Sequence, residues 1–312
     1  MSKYLVTGGA GFIGSHLSRE LVSRGHEVVV LDNMSTGREE NIADIIDDVQ
    51  LHVGSITDID TVMACCQGVD CVFHQAALPS VPRSVADPLT SDEHNIGGTL
   101  RVFWGAHQQG VRRVVFAASS SIYGDTEELP KHEGMQPRPM SPYAVNKRVS
   151  ELYGAVFNNL YGLSTIGLRY FNVFGPRQDP NSQYAAVVPK FITAFLAGQP
   201  PVIHGDGLQS RDFTYIANVV NANLAACAAR PEAGGRSYNI ALGDRLTVKD
   251  LCFRIRDLIG TDVEPHYDES RPGDVKHSQA DVGLAREYLD YVGDIDIDQG
   301  LRKTVAWYRD LA

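Results

Sequence analysis

The chain has 312 residues, 43% of them hydrophobic, and a formal net charge of −10. At about 150 residues per domain, this length predicts two domains with a substantial core. The negative charge argues against a nucleic-acid groove or an anionic membrane surface as the main partner. No apolar stretch approaches the roughly 18 residues of a membrane span, and no targeting pattern opens the chain. We therefore expect a cytoplasmic protein that binds neither nucleic acid nor membrane.

The first predicted element is an apolar strand, Lys3 to Thr7, followed by a glycine-rich turn and a helical pattern. Gly8 permits the tight turn, Gly11 lets a pyrophosphate approach the backbone, and Gly14 lets the helix pack close to the strand. Free amides at the helix start favour phosphate charge. This order of strand, glycine turn and helix predicts a dinucleotide site.

The second predicted strand, Glu27 to Leu31, ends in Asp32. A carboxylate at this position can accept hydrogen bonds from an adenosine ribose, and its charge disfavours a 2′-phosphate. The sequence therefore predicts NAD as the cofactor, rather than NADP.

Strands and helices continue to alternate through the first half of the chain. Further strands are predicted at Gln50 to Val53, Cys71 to His74, Val111 to Ala117 and Ser164 to Arg169, and a helix at Pro88 to Gln108. This alternation predicts an α/β fold with a doubly wound parallel sheet of the Rossmann type. Ligands bind beyond the carboxyl ends of such strands. The segments 75–77, 119–121 and 170–172 follow such strands and should meet there.

Beyond Asn172 the pattern is broken by many glycines and prolines. We predict an NAD-binding domain at residues 1–172 and a smaller α/β substrate domain at residues 173–312. Residues 211–229, a short strand and a helix, are predicted to pack back on the first domain. The five cysteines have neither metal-ligand spacing nor an even disulfide framework, so we expect reduced core thiols and no metal.

Tyr143 and Lys147 lie four residues apart and share one face of a predicted helix, Pro142 to Tyr161. Ser141 can cap this helix, and Pro142 suits its first position. A free tyrosine has a pKa of about 10, and a nearby cation lowers it. The pair, with the serine run 119–121 upstream, predicts a proton-transfer site.

Several ordered motifs extend this pattern over nearly the whole chain. They are Thr7-Gly8-Gly9-Ala10-Gly11-Phe12-Ile13-Gly14, Leu31-Asp32-Asn33, the serines before Tyr123-Gly124, Tyr143-x-x-x-Lys147, Arg169-Tyr170-Phe171-Asn172-Val173, Arg211-Asp212 and Arg271-Pro272-Gly273-Asp274. Together they resemble the extended short-chain dehydrogenase/reductase superfamily and, within it, the nucleotide-sugar 4-epimerases. Residues 80–84, 175–180 and 184–189 resemble the branch that interconverts UDP-N-acetylglucosamine and UDP-N-acetylgalactosamine.

The resemblance implies a reaction at C4 of a UDP-hexose. A tyrosine phenolate removes the 4-hydroxyl proton while hydride passes to the nicotinamide, and the hydride returns to the opposite face after the sugar turns. Tyr143 is then the base and acid, and Lys147 anchors the ribose and lowers the phenol pKa. Ser119, Ser120 and Ser121 are candidates for the catalytic hydroxyl, with Ser119 favoured by its distance from Tyr123-Gly124.

The resemblance also implies two sets of binding residues. The cofactor set is Gly8, Gly11, Phe12, Ile13, Gly14, Asp32, Asn33, Ser35, Thr36, Gly37, Ser55, Ile56, Gln75, Ala76, Ala77, Asn95, Tyr143, Lys147, Tyr170 and Phe171. The substrate set is Ser80, Arg83, Ser119, Ser120, Tyr143, Asn172, Ala186, Val187, Val202, Ile203, His204, Arg211, Arg271, Asp274 and Ser278. Ser55 departs from the acid that the family usually carries near the adenine. Ser278 is small enough to leave room for an N-acetyl group.

Three alternatives are weighed against plain epimerisation. Dehydratases and decarboxylases of the superfamily carry acids between the catalytic hydroxyl and the aromatic-glycine pair, whereas the interval Ser119 to Tyr123 has none. A UDP-glucuronate 4-epimerase and a catalytically idle NAD-binding scaffold or sensor stay open. The expected partners are a UDP-sugar and a second copy of the chain, paired through the helices Pro88 to Gln108 and Pro142 to Tyr161.

Overall fold

The computed structural model of the protein describes residues 1–180, 186–270 and 275–311. Within these residues, the strands are β1 Lys3–Thr7, β2 Glu27–Asp32, β3 Val49–Val53, β4 Cys71–His74, β5 Arg113–Ser119, β6 Ser164–Tyr170, β7 Val173–Phe174, β8 Val202–His204, β9 Ser210–Arg211, β10 Thr214–Tyr215, β11 Arg236–Ile240, β12 Leu246–Thr247 and β13 His266–Asp268. Seven of them form one parallel sheet in the order β11-β6-β5-β4-β1-β2-β3. The predicted doubly wound sheet is confirmed.

The described residues contain the α-helices α1 Phe12–Ser23, α2 Ile59–Cys65, α3 Val81–Ala86, α4 Pro88–Asp92, α5 Thr99–Gln108, α6 Pro142–Tyr161, α7 Val187–Leu196, α8 Ile216–Ala228, α9 Val248–Ile259, α10 Gly283–Leu289 and α11 Ile297–Leu311. Five of these helices cover the two faces of the sheet. α1 and α8 pack on one face, and α2, α5 and α6 on the other.

The continuous apolar run of β2 follows from this double cover. Val28 and Val30 belong to the core beneath α1 and α8, whereas Val29 and Leu31 belong to the core beneath α2 and α5. Successive side chains of a strand point to opposite faces, so a strand that is buried on both faces has no polar alternation.

Two features of the sheet layer differ from the sequence prediction. The helix predicted at Pro88 to Gln108 is interrupted by a π-helical segment, Glu93–Gly98. At its end Gly98 packs so closely on Ile56 that an added Cβ would lie 2.5 Å from the Ile56 Cδ1 atom. The second difference is β11, which the sequence pattern did not predict and which pairs with β6.

The second half of the chain adds short strand pairs to this frame. β7 pairs with β10, β8 with β13 and β9 with β12. The buried Asp212 carboxylate connects separate segments of this region, because it accepts hydrogen bonds from the backbone N–H groups of Leu242, Gly243 and Ala280. α8 packs against α1 of the first half.

In the described part of the chain, no helix has the length and apolar character needed to cross a bilayer. The domain boundary at residue 172 stays a prediction.

Candidate active site

A cavity of about 670 Å³ opens at the carboxyl ends of the central strands. It brings together most of the residues predicted for the cofactor and several of those predicted for chemistry and substrate. These are Gly8, Gly11, Phe12, Ile13, Gly14, Asp32, Asn33, Ser35, Thr36, Gly37, Ile56, Gln75, Ala76, Ala77, Ser80, Arg83, Ser119, Tyr143, Lys147, Tyr170, Asn172 and Ala186. The parallel register places these residues at one edge, since the last residue of β1, Thr7, pairs with Leu31 and with His74.

The glycine turn forms the floor of one end of the cavity. Gly8 has a φ of +70°, and an added Cβ there would lie 2.7 Å from the backbone nitrogen of Ala76. A side chain at Gly14 would overlap the carbonyl oxygen of Gly8. The turn therefore keeps open a backbone-lined cradle at the start of α1, where free N–H groups suit a phosphate.

Asp32 lies at the end of β2, beside this cradle. Its carboxylate accepts hydrogen bonds from the backbone N–H groups of Ala10, at 3.0 Å, and Met34, at 2.9 Å. Burial raises the pKa of Asp32 above its ordinary value. The fixed carboxylate beside the glycine cradle fits the ribose and the pyrophosphate of a dinucleotide.

Tyr143 and Lys147 lie on the first turns of α6, as predicted. The Ser141 hydroxyl caps this helix by accepting a hydrogen bond from the Ala144 N–H at 3.2 Å. The Lys147 Nζ atom lies 5.8 Å from the centroid of the Tyr143 ring and donates to the carbonyl oxygen of Ala117 at 2.7 Å. The Ser119 and Tyr143 side chains both line the cavity, and the Ser119 hydroxyl acts to lower the pKa of Tyr143. The end of β5 and the start of α6 thus bring two hydroxyls and one cation to the same wall.

The pKa expectation for Tyr143 is wrong for the protein without cofactor. Burial raises the pKa of Tyr143 to about 12, and the nearby Ser119 hydroxyl opposes only part of that rise. Burial also lowers the pKa of Lys147 to about 8. The ammonium group is directed to the Ala117 carbonyl oxygen rather than to the phenol oxygen, so helical spacing alone does not produce a phenolate.

Among the three candidate serines, Ser119 alone lines the cavity. Ser120 and Ser121 belong to a 3₁₀ turn, Ser120–Tyr123, and neither of them lines the cavity. The Ser121 Oγ atom is buried without a hydrogen-bond partner, while its backbone N–H donates to Ser119 Oγ at 3.2 Å.

Three residues predicted for the cofactor lie outside the cavity wall, each for a physical reason. The Ser55 hydroxyl is occupied by Thr57, whose hydroxyl lies 2.8 Å away. Phe171 is fully buried in a small core with Tyr123 and Ala241. Asn95 is 2% exposed, and its side chain bonds to the backbone of Leu78 instead. Sequence position did not reveal these internal partners.

The residues predicted for the substrate divide in the same way. Ser80, Arg83, Asn172 and Ala186 line the cavity. Val187, Val202, Ile203, His204, Arg211 and Ser278 lie outside its wall, with Ile203 fully buried. Arg271 and Asp274 fall outside the described residues.

Sequence reasoning did not assign two arginines that line the cavity, Arg38 and Arg177. Arg38 Nη2 forms an ion pair of 2.7 Å with Asp179, which lines the same cavity. A guanidinium group suits phosphate oxygens. The sequence signal for Arg177 is its place within the motif Gly175 to Pro180.

Comparison with known proteins agrees with this geometry. Residues 4–241 match the model of the NAD dependent epimerase/dehydratase family. The chain belongs to that family. It is 38% identical over 310 residues to the UDP-glucose 4-epimerase of Mycolicibacterium smegmatis, covering 98% of both chains.

Two solved structures extend the likeness to three dimensions. A UDP-N-acetylglucosamine 4-epimerase from Methanobrevibacter ruminantium, solved with UDP-N-acetylmuramic acid, is 40% identical with a TM-score of 0.95, covering 100% of this chain and 99% of the other. The UDP-glucose 4-epimerase of Thermotoga maritima is 36% identical with a TM-score of 0.94, covering 99% of both chains. The protein is therefore an enzyme of the epimerase type, and its cofactor is NAD.

Proposed function

We propose that the protein interconverts UDP-N-acetylglucosamine and UDP-N-acetylgalactosamine by inverting C4 of the hexose, with UDP-glucose and UDP-galactose as further substrates. The observation that carries the proposal is the cavity wall on which Ser119, Tyr143 and Lys147 lie beside the glycine cradle and Asp32. A base, a hydrogen-bond partner for the sugar hydroxyl and a dinucleotide site are what a C4 oxidation requires.

Each residue has a role that follows from its contacts. The glycine turn, Asp32 and Lys147 would hold NAD, which would supply hydride acceptance and return at C4. Tyr143 takes the proton of the 4-hydroxyl and gives it back, while Ser119 holds the oxygen. Lys147 contributes a buried positive charge that favours the phenolate as the proton leaves.

Two sequence features support the proposal, one concerning the reaction and one concerning the sugar. The interval Ser119 to Tyr123 contains no acid that an elimination or decarboxylation would use. Ser278 is small and 7% exposed, and its backbone N–H donates to the carbonyl oxygen of Ser210 at 3.0 Å, at the edge of β9. Ser278 lies outside the wall of the described cavity, so its link to the N-acetyl group rests on the family resemblance, which implies that a small residue at this position leaves room for that group.

The test is a product assay with purified protein and no added NAD. UDP-N-acetylglucosamine, UDP-glucose and UDP-glucuronate are supplied separately, and the sugars are resolved after incubation. Conversion of the N-acetylated sugar supports the proposal. Conversion of UDP-glucuronate alone would replace it by the uronate epimerase, and retention of NAD without turnover of any sugar would favour the scaffold.

Ser278→Tyr tests the sugar assignment within the same assay. We expect kcat/KM to fall more for UDP-N-acetylglucosamine than for UDP-glucose, by about tenfold relative to the wild type, because steric exclusion of one group is worth about 1–3 kcal/mol. Ser35→Tyr, at the cofactor end of the cavity, is the matched control. An equal loss for both sugars would show that residue 278 does not set sugar size.

The proposal includes a homodimer and the predicted division into domains at residue 172. Apolar side chains on the outer faces of α5 and α6 are exposed, namely Trp104, Leu152, Val156, Leu160 and Tyr161. Residues 152, 156 and 160 form one helical stripe, and such exposed stripes are typical of protein interfaces. Light scattering of the purified protein should give twice the monomer mass.

A further inference from the structure

A line of buried hydrogen bonds centred on His74 runs behind the cavity wall. Thr7 Oγ1 lies 2.7 Å from His74 Nδ1, and His74 Nε2 lies 2.9 Å from Thr99 Oγ1. Thr7, His74 and Thr99 are 0%, 3% and 4% exposed, and none of them lines the cavity. These three side chains therefore satisfy one another inside the protein rather than contact a ligand.

The direction of each hydrogen bond follows from one fixed acceptor. Thr99 Oγ1 lies 2.6 Å from the carbonyl oxygen of Asn95, which can only accept, so the Thr99 proton is directed there. Thr99 Oγ1 must then accept from His74 Nε2–H. In a neutral imidazole the other nitrogen, Nδ1, carries the lone pair and accepts from the Thr7 hydroxyl. The Thr7 oxygen in turn accepts from the backbone N–H of Ala76 at 3.3 Å.

The surroundings keep this imidazole neutral. Burial, together with the positive charge of Lys147, lowers the pKa of His74 to about 3. An imidazolium would donate from both nitrogens, and the Thr7 hydroxyl would lose its acceptor. The bond directions and the charge environment thus agree on a single tautomer.

Both ends of the line reach the same stretch of cavity wall. At one end, the Thr7 oxygen accepts the hydrogen bond from the Ala76 N–H. The other end is Asn95, whose side-chain oxygen accepts from the Leu78 N–H at 2.8 Å and whose amide donates to the Leu78 carbonyl oxygen at 3.3 Å. Ala76 and Leu78 line the cavity, and Ala76 faces Gly8 closely enough to exclude a Cβ. A displacement of this wall would therefore also disturb the glycine cradle.

We propose that His74, as the neutral Nε2–H tautomer, is a positioning residue that fixes residues 75–78 as one wall of the NAD site. The proposal rests on the cofactor and not on the identity of the sugar, so it can fail while the proposed sugar reaction stands. Its consequence is that NAD affinity depends on side chains that do not contact the cofactor.

The tautomer is tested by NMR of the NAD-bound enzyme with ¹⁵N-labelled histidine. Long-range ¹⁵N–¹H spectra separate the two neutral tautomers, and His74→Gln identifies the His74 signals by their loss. We expect the Nε2–H pattern, unchanged between about pH 8 and about pH 5, where an ordinary imidazole with a pKa of about 6.5 titrates. An Nδ1–H pattern, or titration in that range, would overturn the proposal.

The positioning role is tested by NAD affinity in Thr7→Val and Thr99→Val, which keep side-chain volume and remove one hydroxyl each. Each change leaves a buried partner unsatisfied, so we expect an increase of about tenfold in the NAD dissociation constant. The matched control is Thr165→Val, because Thr165 is also buried and donates to a backbone carbonyl, that of Gly154, at 2.7 Å. Threonine variants that bind NAD as tightly as the control would contradict the role.

Variants at residue 74 itself give a graded result. His74→Asn places an acceptor near the Nδ1 position and retains the Thr7 half, whereas His74→Phe keeps a ring and loses both bonds. We expect NAD affinity to fall in the order wild type, Asn, Phe, with folding followed by circular dichroism. A folded His74→Phe enzyme with wild-type affinity would refute the proposal, and the threonine variants test it if the Phe variant does not fold.

Discussion

The cofactor end and the substrate end of the candidate site are built by different means. At the cofactor end, the parallel register sets Thr7 beside His74 and Ser119 beside Tyr170, so residues far apart in the chain meet at one sheet edge. At the substrate end, strands of two or three residues pair, and the Asp212 carboxylate accepts hydrogen bonds from three backbone N–H groups. The first arrangement follows from the regular pairing of parallel strands, whereas the second depends on short strand pairs and on the individual contacts of one buried side chain.

This difference predicts that changes at the cofactor end affect chemistry and NAD retention, while changes at the substrate end affect local stability and sugar binding. Single substitutions at each end of the site test that separation.

Tyr143→Phe should lower kcat by about 10²–10⁴-fold, the usual range for loss of a general acid–base group. The fold and NAD content should stay unchanged, because the phenol ring and its position on α6 remain. Product formation and bound NAD are measured on the same preparation. Turnover close to that of the wild type would show that another residue moves the proton.

Arg169→Met should lower the free energy of unfolding by about 3 kcal/mol, the low end of the range for breaking a buried ion pair, because it leaves the buried Glu151 with Arg148 as its remaining cationic partner. Arg169 is 5% exposed and donates to both carboxylate oxygens of Glu151, at 2.7 Å and 3.0 Å. Urea unfolding measures the change. Arg254→Met, which breaks a surface pair with Asp298, is the control and should cost about 0–1 kcal/mol. Equal losses of unfolding free energy in the two variants would show that the buried ion pair stabilises the fold no more than the surface pair does.

Asp212→Asn should lower the free energy of unfolding by about 1.5–3 kcal/mol, because one amide oxygen replaces two carboxylate oxygens that accept three N–H groups. NAD affinity should not change. The control is Asp206→Asn, in an exposed turn where one oxygen accepts from the Leu208 N–H at 2.9 Å. A loss of NAD affinity equal to the loss of stability would show that the two ends of the site are coupled.

Lys147→Arg should move the alkaline limit of activity. Burial lowers the pKa of Lys147 to about 8, so its charge, and with it kcat/KM, should fall as pH rises above about 8. Arginine stays charged, so the limit should shift to higher pH. An unchanged profile would assign the alkaline limit to another group.

The lowered pKa of Lys147 also sets the direction in which the stability of the fold changes with pH. The unfolded lysine has a pKa of about 10.4, so between about pH 8 and pH 10.4 the unfolded chain binds the proton more. Lys147 therefore destabilises the fold most below about pH 8, and its cost is relieved as pH rises. Comparison of unfolding curves of wild type and Lys147→Met across this range measures the contribution.

The sequence by itself determined the features that depend on neighbours in the chain. The glycine turn, Asp32 at a strand end, and the Tyr143 and Lys147 spacing all follow from strand and helix periodicity, and the structure brings them together. Helix α6 begins and ends where its cap and pattern predict, at Pro142 and Tyr161. These features are local, so one sequence is enough to recognise them.

The tertiary structure alone decided how side chains are used. It placed Ser119 rather than Ser120 or Ser121 on the cavity wall, and it turned Asn95 onto the backbone of Leu78. It also raised the pKa of Tyr143, because burial outweighs a lysine that is directed elsewhere. Side-chain direction, burial and hydrogen-bond partners come from segments distant in the chain, so only the packed molecule fixes them.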